Sequence, residues 1–289
     1  MSHLFCFGLG YSAGVLAERL QGQGWTISGT ATSDAGAARL RARGYRGIVF
    51  DGSRASPEVA AALRDSTHVL LSIPPEPDGD PALRCHGDDM AASRSLSWIG
   101  YFSTIGVYGD AQGGWVDEET VPRPGTLRGQ RRLDAENMWL ALGTCTDKRV
   151  VVFRLPGIYG PGRSTLDDLR AGTARRLIKP GQVFNRIHVE DIASGVEAAM
   201  TAHKPSRVYN LVDDEPAPPQ DVVAFGAELL GMSCPPDIDF ATATLSPMAQ
   251  SFYSESKRVS NVRMKAELGV RPAYPTYREG LRAIFSHRA

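Results

Sequence analysis

An apolar run, Leu4-Phe5-Cys6-Phe7, leads without a break into Gly8-Leu9-Gly10-Tyr11-Ser12-Ala13, and that junction constrains how the chain begins to fold. The spacing fits G-x-G-x-x-A. A first glycine permits a tight turn, a second lets backbone approach a pyrophosphate, and a small third residue lets a helix pack closely on the preceding strand. The helix that follows offers unpaired N–H groups and partial positive charge to an anion. Gly8, Gly10, Tyr11, Ser12 and Ala13 are therefore read as a dinucleotide cradle, against the alternative of a glycine turn needed only for packing. The order strand, turn, helix favours the cradle.

Downstream, short apolar runs alternate with amphipathic stretches. Residues 4–7, 25–29, 47–50, 68–73, 97–103 and 150–155 read as strands, and 13–21, 35–43 and 57–64 as helices. This alternation predicts β-α-β units in an α/β fold, a Rossmann-type doubly wound parallel sheet. After residue 155 the Pro-Gly pairs at 156–157, 161–162 and 180–181 break the pattern, and a proline-rich stretch follows 213. Residues 1–155 plus about 185–212 are expected to form the nucleotide domain. Residues 156–184 plus 213–289 are expected to form a small substrate lobe.

Lys plus Arg and Asp plus Glu number 32 each, so no net field favours nucleic acid or an anionic membrane. Cys6, Cys85, Cys145 and Cys234 show no metal-like spacing, which predicts reduced thiols and no zinc. The first apolar run is too short for a signal sequence or a membrane span, so the expected location is the cytoplasm.

An NAD site ordinarily places Asp or Glu at the end of the second strand for the ribose hydroxyls. That end reads Gly29-Thr30-Ala31-Thr32-Ser33, without an acid. A 2′-phosphate meets no repulsion there, and the Thr32 and Ser33 hydroxyls can bond to it, so NADP is favoured over NAD. No arginine stands at the loop itself, although Arg39 lies in the next helix.

Phe102-Ser103-Thr104-Ile105-Gly106-Val107-Tyr108-Gly109, followed by Trp115-Val116-Asp117-Glu118, resembles the serine/threonine segment of the extended short-chain dehydrogenase/reductases, the NAD-dependent epimerase/dehydratase group. Arg154 through Arg163 resembles that family's R-x-x-x-x-Y-G-P segment, and Ile187 through Ala193 its H-V-x-D-x-A segment. Ser256 through Asn261, then Leu268-Gly269 and Glu279-Gly280-Leu281, resemble its closing pattern. Within the family the chain is similar to an atypical subgroup of short bacterial proteins.

The resemblance implies that Thr104 bonds to the reacting oxygen, unless it is only a structural hydroxyl. It implies that Ser72 and Pro156 complete the cofactor set and that Asp51 faces the adenine, unless Asp51 caps the next segment. It also implies a Tyr-x-x-x-Lys pair at 128 and 132, where this chain has Arg128 and Arg132. Guanidinium titrates above pH 12 and cannot exchange a proton near neutrality, but it forms a rigid fork for phosphate or carboxylate. With Arg131 these residues read either as a solvated helix face partnered by Asp134 and Glu136 or as an anion clamp.

Substitute proton donors are Tyr101, Tyr108, Tyr159 and His86, the last read as lying in a loop at the site mouth. Arg163 is read as an anion contact or a surface residue, Asp191 as a helix cap and His188 as a structural hydrogen bonder. Lys257 and Arg258 are read as a solvated pair or the substrate rim. The expected function is an NAD(P)-dependent oxidoreductase or epimerase of a small, sugar-like or anionic substrate, with a homodimer implied by the family. The alternatives are a non-catalytic NADP-binding sensor and a sugar-nucleotide enzyme with Arg128 holding a diphosphate.

Overall fold

The computed structural model describes residues 2–202 and 204–286. β1 (His3–Phe7), β2 (Thr26–Ala31), β3 (Arg46–Val49), β4 (His68–Leu71) and β5 (Trp98–Thr104) alternate with α1 (Tyr11–Gly22), α2 (Asp34–Ala42), α3 (Pro57–Asp65) and α4 (Pro81–Ala92), and α5 (Leu127–Cys145) follows. With the strands Arg149–Leu155 and Arg207–Asn210 they build one seven-stranded sheet. Its order is Arg207–Asn210, Arg149–Leu155, β5, β4, β1, β2, β3. β1 pairs in parallel with both β2 and β4, the central position of a doubly wound sheet.

Every residue of β1 is buried, which is why the opening run carries no polar alternation except at His3. Alternate side chains such as Phe5, Phe7, Val69, Leu71, Val150 and Val152 share one core with Val59 and Leu63 of α3, Met90 of α4 and Trp139 of α5. Each such side chain, once buried, contributes about 1.5–3 kcal/mol. Helix starts follow local chemistry. Ser56 Oγ accepts from Val59 N–H with Pro57 in the first turn, and Asp80 accepts from Ala82 and Leu83 N–H with Pro81 in the first turn.

The chain separates into two compact units. One comprises residues up to Thr104 with Leu127–Arg154 and Ala193–Tyr209, and the other comprises Ile105–Thr126, Leu155–Ile192 and the chain from Asn210. Residues 105–126, 185–192 and 210–212, which the sequence reading puts in the nucleotide domain, cluster with the second unit. In the second unit, three short parallel pairs join Gly157–Tyr159 to Arg186–His188, Arg176–Ile178 to Asp237–Asp239, and Trp115–Val116 to Arg258–Val259. Its core gathers Tyr159, Leu166, Val222, Tyr277, Leu281 and Ile284.

The strand expected over 68–73 stops at Leu71, and residues 81–92, read as loop, form α4. No helix among the described residues is long and apolar enough to cross a membrane. No cluster of three metal-ligating side chains occurs among them.

Candidate functional site

The two glycines of the first turn serve different needs. Gly8 has φ +78°, and a Cβ there would lie 2.6 Å from Ile73 Cγ2, so backbone strain and packing both demand glycine. Its N–H donates to Thr30 Oγ1 at 2.8 Å, which ties the turn to β2. Gly10 has an ordinary φ of −92°, and a Cβ there would meet no atom within 4 Å. No described atom fills the space a side chain would take at that position, and that open space is where a pyrophosphate would approach. α1 has no side-chain cap and no acid in its first turn, so no carboxylate there competes with an incoming anion for the positive end of the helix. Ala13 is fully buried and Ser12 nearly so, whereas Tyr11 is exposed.

A cavity of about 460 Å³ opens between α1 and α2, with Gly10, Tyr11, Gly14, Ala31, Gly36 and Arg39 among its walls. Thr32 and Ser33 are exposed at its β2 end. Ser33 Oγ accepts from Gly36 N–H at 3.2 Å as the cap of α2, leaving the hydroxyl proton to donate elsewhere. Asp51 Oδ1 accepts from Ser53 N–H at 2.9 Å and Ser53 Oγ–H at 2.7 Å. Those bonds hold the carboxyl below its ordinary pKa and show Asp51 closing a turn. Ser72, just past β4, donates its N–H to Phe7 O at 2.9 Å. Pro156 follows the strand Arg149–Leu155.

Strand alternation separates the last two residues of β5. Ser103 is buried and donates to Glu136 Oε1, which also takes Arg154 Nε at 3.1 Å, while Arg154 Nη2 reaches Oε2 at 2.7 Å. Thr104 is half-exposed at the strand end. Arg132 on α5 lays its guanidinium across this end. Its Nη1 donates to Phe102 O and, at 3.4 Å, to Tyr101 Oη. Arg128, one turn earlier, is exposed. The partners proposed for the arginines are engaged elsewhere, because Glu136 faces Arg154 and Asp134 accepts from Gln130 at 2.8 Å.

No family model matches the sequence. A functionally unknown conserved protein from Silicibacter pomeroyi is 47% identical, at TM-score 0.90 over 100% of this chain and 99% of that one. Protein YeeZ of Escherichia coli is 28% identical over 95% of this chain and 97% of its own. A 3-diazoavenalumate denitrifying reductase of Streptomyces is 26% identical over 79% of this chain and 80% of its own. The UDP-glucuronic acid 4-epimerase of Bacillus cereus, solved with UDP-glucuronic acid and NAD, superposes at TM-score 0.77 with 18% identity, covering 99% and 98% of the two chains. This chain has the NAD-dependent epimerase/dehydratase fold.

In this epimerase/dehydratase fold none of the substitute proton donors stands ready. Tyr101 is fully buried, and burial pushes its phenol above the ordinary range. Tyr108 Oη donates to Asn210 Oδ1 at 2.8 Å, and buried Tyr159 donates to Thr276 O at 3.4 Å. His86 is not at a loop mouth. It lies on α4, 1% exposed, with Nδ1 2.8 Å from Asp89 Oδ2 and Nε2 accepting from Ser56 N–H at 3.2 Å. His188 accepts from Glu190 N–H and packs between the Tyr159 and Tyr274 rings. Burial lowers its pKa to about 4.

Asp191, in the first turn of the helix Val189–Thr201, accepts from Ala273 and Tyr274 N–H at 2.7 and 3.1 Å and so pins a distant loop. Lys257 is buried in a 2.6 Å pair with Glu255, and Arg258 donates to Gly113 O, so neither is a solvated cation. Arg163 is exposed in a turn closed on Gly160. The element that sequence reading missed is the Ser103–Glu136–Arg154 network. Its signal is a lone arginine inside the apolar run Val150–Leu155, because a buried charge requires a partner.

Proposed function

We propose that the protein is an NADP-dependent reductase of a small-molecule substrate. The observation that carries this reading is the open face of Gly10 at the start of an uncapped α1, a cradle whose glycine serves no internal packing need. The backbone of Gly8–Ala13 would hold the pyrophosphate, and Thr32, Ser33 and Arg39 would hold the adenosine end. A bound nicotinamide supplies hydride.

Arg39 supports NADP. It lines the same cavity as Gly10 and has no hydrogen bond or ion pair among the described residues. Its Nη2 lies 3.8 Å from the position a Gly36 Cβ would take, folded back over the first turn of α2 towards Ser33. NAD would instead have to use Asp34, the exposed acid at the first position of α2.

The kind of reaction follows from the missing acid–base pair. Oxidising an alcohol, the first step of an epimerisation, needs a base whose pKa lies near the working pH. Arg128 and Arg132 cannot act as one, and the tyrosines are buried or engaged. Reduction of an electron-poor acceptor is the reaction such a site can serve, because hydride addition there gives a stabilised anion that solvent protonates without an enzyme acid, whereas interconversion of an unactivated alcohol and ketone needs the missing pair in both directions. The Thr104 hydroxyl donates to charge developing on the substrate, and water delivers the proton. The Streptomyces relative's reductase name supports this choice over epimerase. A non-catalytic dinucleotide-binding regulator is the second reading, favoured by the arginines at 128 and 132.

The test follows NADPH consumption against a panel of electron-poor carbonyl, imine and alkene acceptors, with wild type and Thr104→Val. Turnover that falls about a hundredfold in the variant, the usual cost of one oxyanion donor, supports the reductase. Tight NADPH binding without turnover on any acceptor selects the regulator.

A further inference from the structure

Arg128, Arg131 and Arg132 crowd the first two turns of α5, whose first turn holds no acid. Cations at that end oppose the helix macrodipole and one another. No ion pair among the described residues includes any of the three, although Arg132 has the Phe102 carbonyl and the Tyr101 ring beside it. Asp134 is bonded to Gln130, and Glu136 is bonded to Arg154 and Ser103. The carboxylate that does feel Arg132 is buried Asp80, and its oxygens are already taken by Ala82 and Leu83 N–H and Trp139 Nε1.

A helix that repels itself at one end is a local rule broken, and such breaks concentrate at functional sites. The direction of the break is informative. Residues 128 and 132 are one turn apart on the same helix face. Arg132 reaches Phe102 O, so that face is turned towards the end of β5, two residues before Thr104. The anchor uses Nη1 alone and leaves the Nε and Nη2 donors of the fork.

We propose that Arg128 and Arg132 form an oxyanion subsite that takes a carboxylate or phosphate group of the substrate beside the Thr104 hydroxyl. This rests on the reading of the β5 end as the substrate end of a dinucleotide site. Paired guanidinium forks bind planar or tetrahedral oxyanions through several charge-assisted bonds, and an incoming anion also relieves the repulsion within α5. A substrate with a free acid group is thereby selected over a neutral one.

The test titrates benzoate and, separately, inorganic phosphate by calorimetry into the protein without nucleotide and in excess NADPH, for wild type, Arg128→Gln and Arg132→Lys. Melting of each protein without anion is followed in low-salt buffer. The expected result is millimolar binding of at least one anion by wild type, weakened about tenfold or more in both variants. Anion-free Arg128→Gln is expected to melt above wild type, which also shows that it folds. Benzoate alone binding assigns a carboxylate, and phosphate alone a phosphoryl group. Wild type binding neither anion, or Arg128→Gln binding them as wild type does, overturns the subsite. NADPH titrated into the same proteins separates the two claims. Equal NADPH affinity with no anion binding removes the subsite and leaves the cofactor reading. Arg128-dependent anion binding without any NADPH binding does the reverse.

Discussion

Gly8 and Gly10 stand two residues apart in one motif and make opposite predictions. Gly8→Ala forces a side chain into a positive φ and against Ile73, and is expected to cost about 1–3 kcal/mol of stability. Gly10→Val enters open space at an ordinary φ, so melting should move little. Dinucleotide affinity should fall about a hundredfold, because the pyrophosphate and the new side chain compete for one volume. Melting curves and calorimetric titration of both variants check the pair. The motif was legible because its chemistry is local. The fate of His86 was not, since its burial depends on Asp89, Ser56 and the Phe7 and Phe50 rings folding around it.

Among elements, the Ser103–Glu136–Arg154 network ties β5, α5 and the strand Arg149–Leu155 together within the first unit. Glu136→Gln keeps the shape but leaves the Arg154 charge buried without its counter-ion. The expected loss is about 3–5 kcal/mol, read from urea unfolding. On α2, Arg39→Ala is expected to weaken NADPH about tenfold and leave NADH within about twofold, measured by the same titration. The β-α-β order was readable because strand and helix periods differ. α4 was missed although Asp80-Pro81 is a start signal, because the prolines and glycine from Pro74 to Gly79 read as an unbroken loop. The Glu136–Arg154 pair joins residues on different elements, and no local pattern reports it.

At the scale of the whole molecule, acid should unfold the protein through histidines held neutral. His68, set against the Trp25 and Trp98 rings, and His188 are each depressed by burial from 6.5 to about 4. Between those values the unfolded chain binds the protons that the folded chain refuses. Stability therefore falls as pH drops from 6.5 to 4, and these groups add no further loss below that. For the 2%-exposed His188 the loss is about 3 kcal/mol at most. Urea midpoints at pH 7 and pH 5 check it, and His188→Gln should flatten the difference.

The central claim is that the first turn is a cradle for NADP. It is tested most directly by calorimetric titration of cofactor-stripped protein with NADPH and, under the same conditions, NADH. The account predicts saturable NADPH binding, at least about tenfold tighter than NADH and lost in Gly10→Val. Binding of neither nucleotide, or equal binding by wild type and Gly10→Val, would contradict it and leave the glycine turn as a packing device.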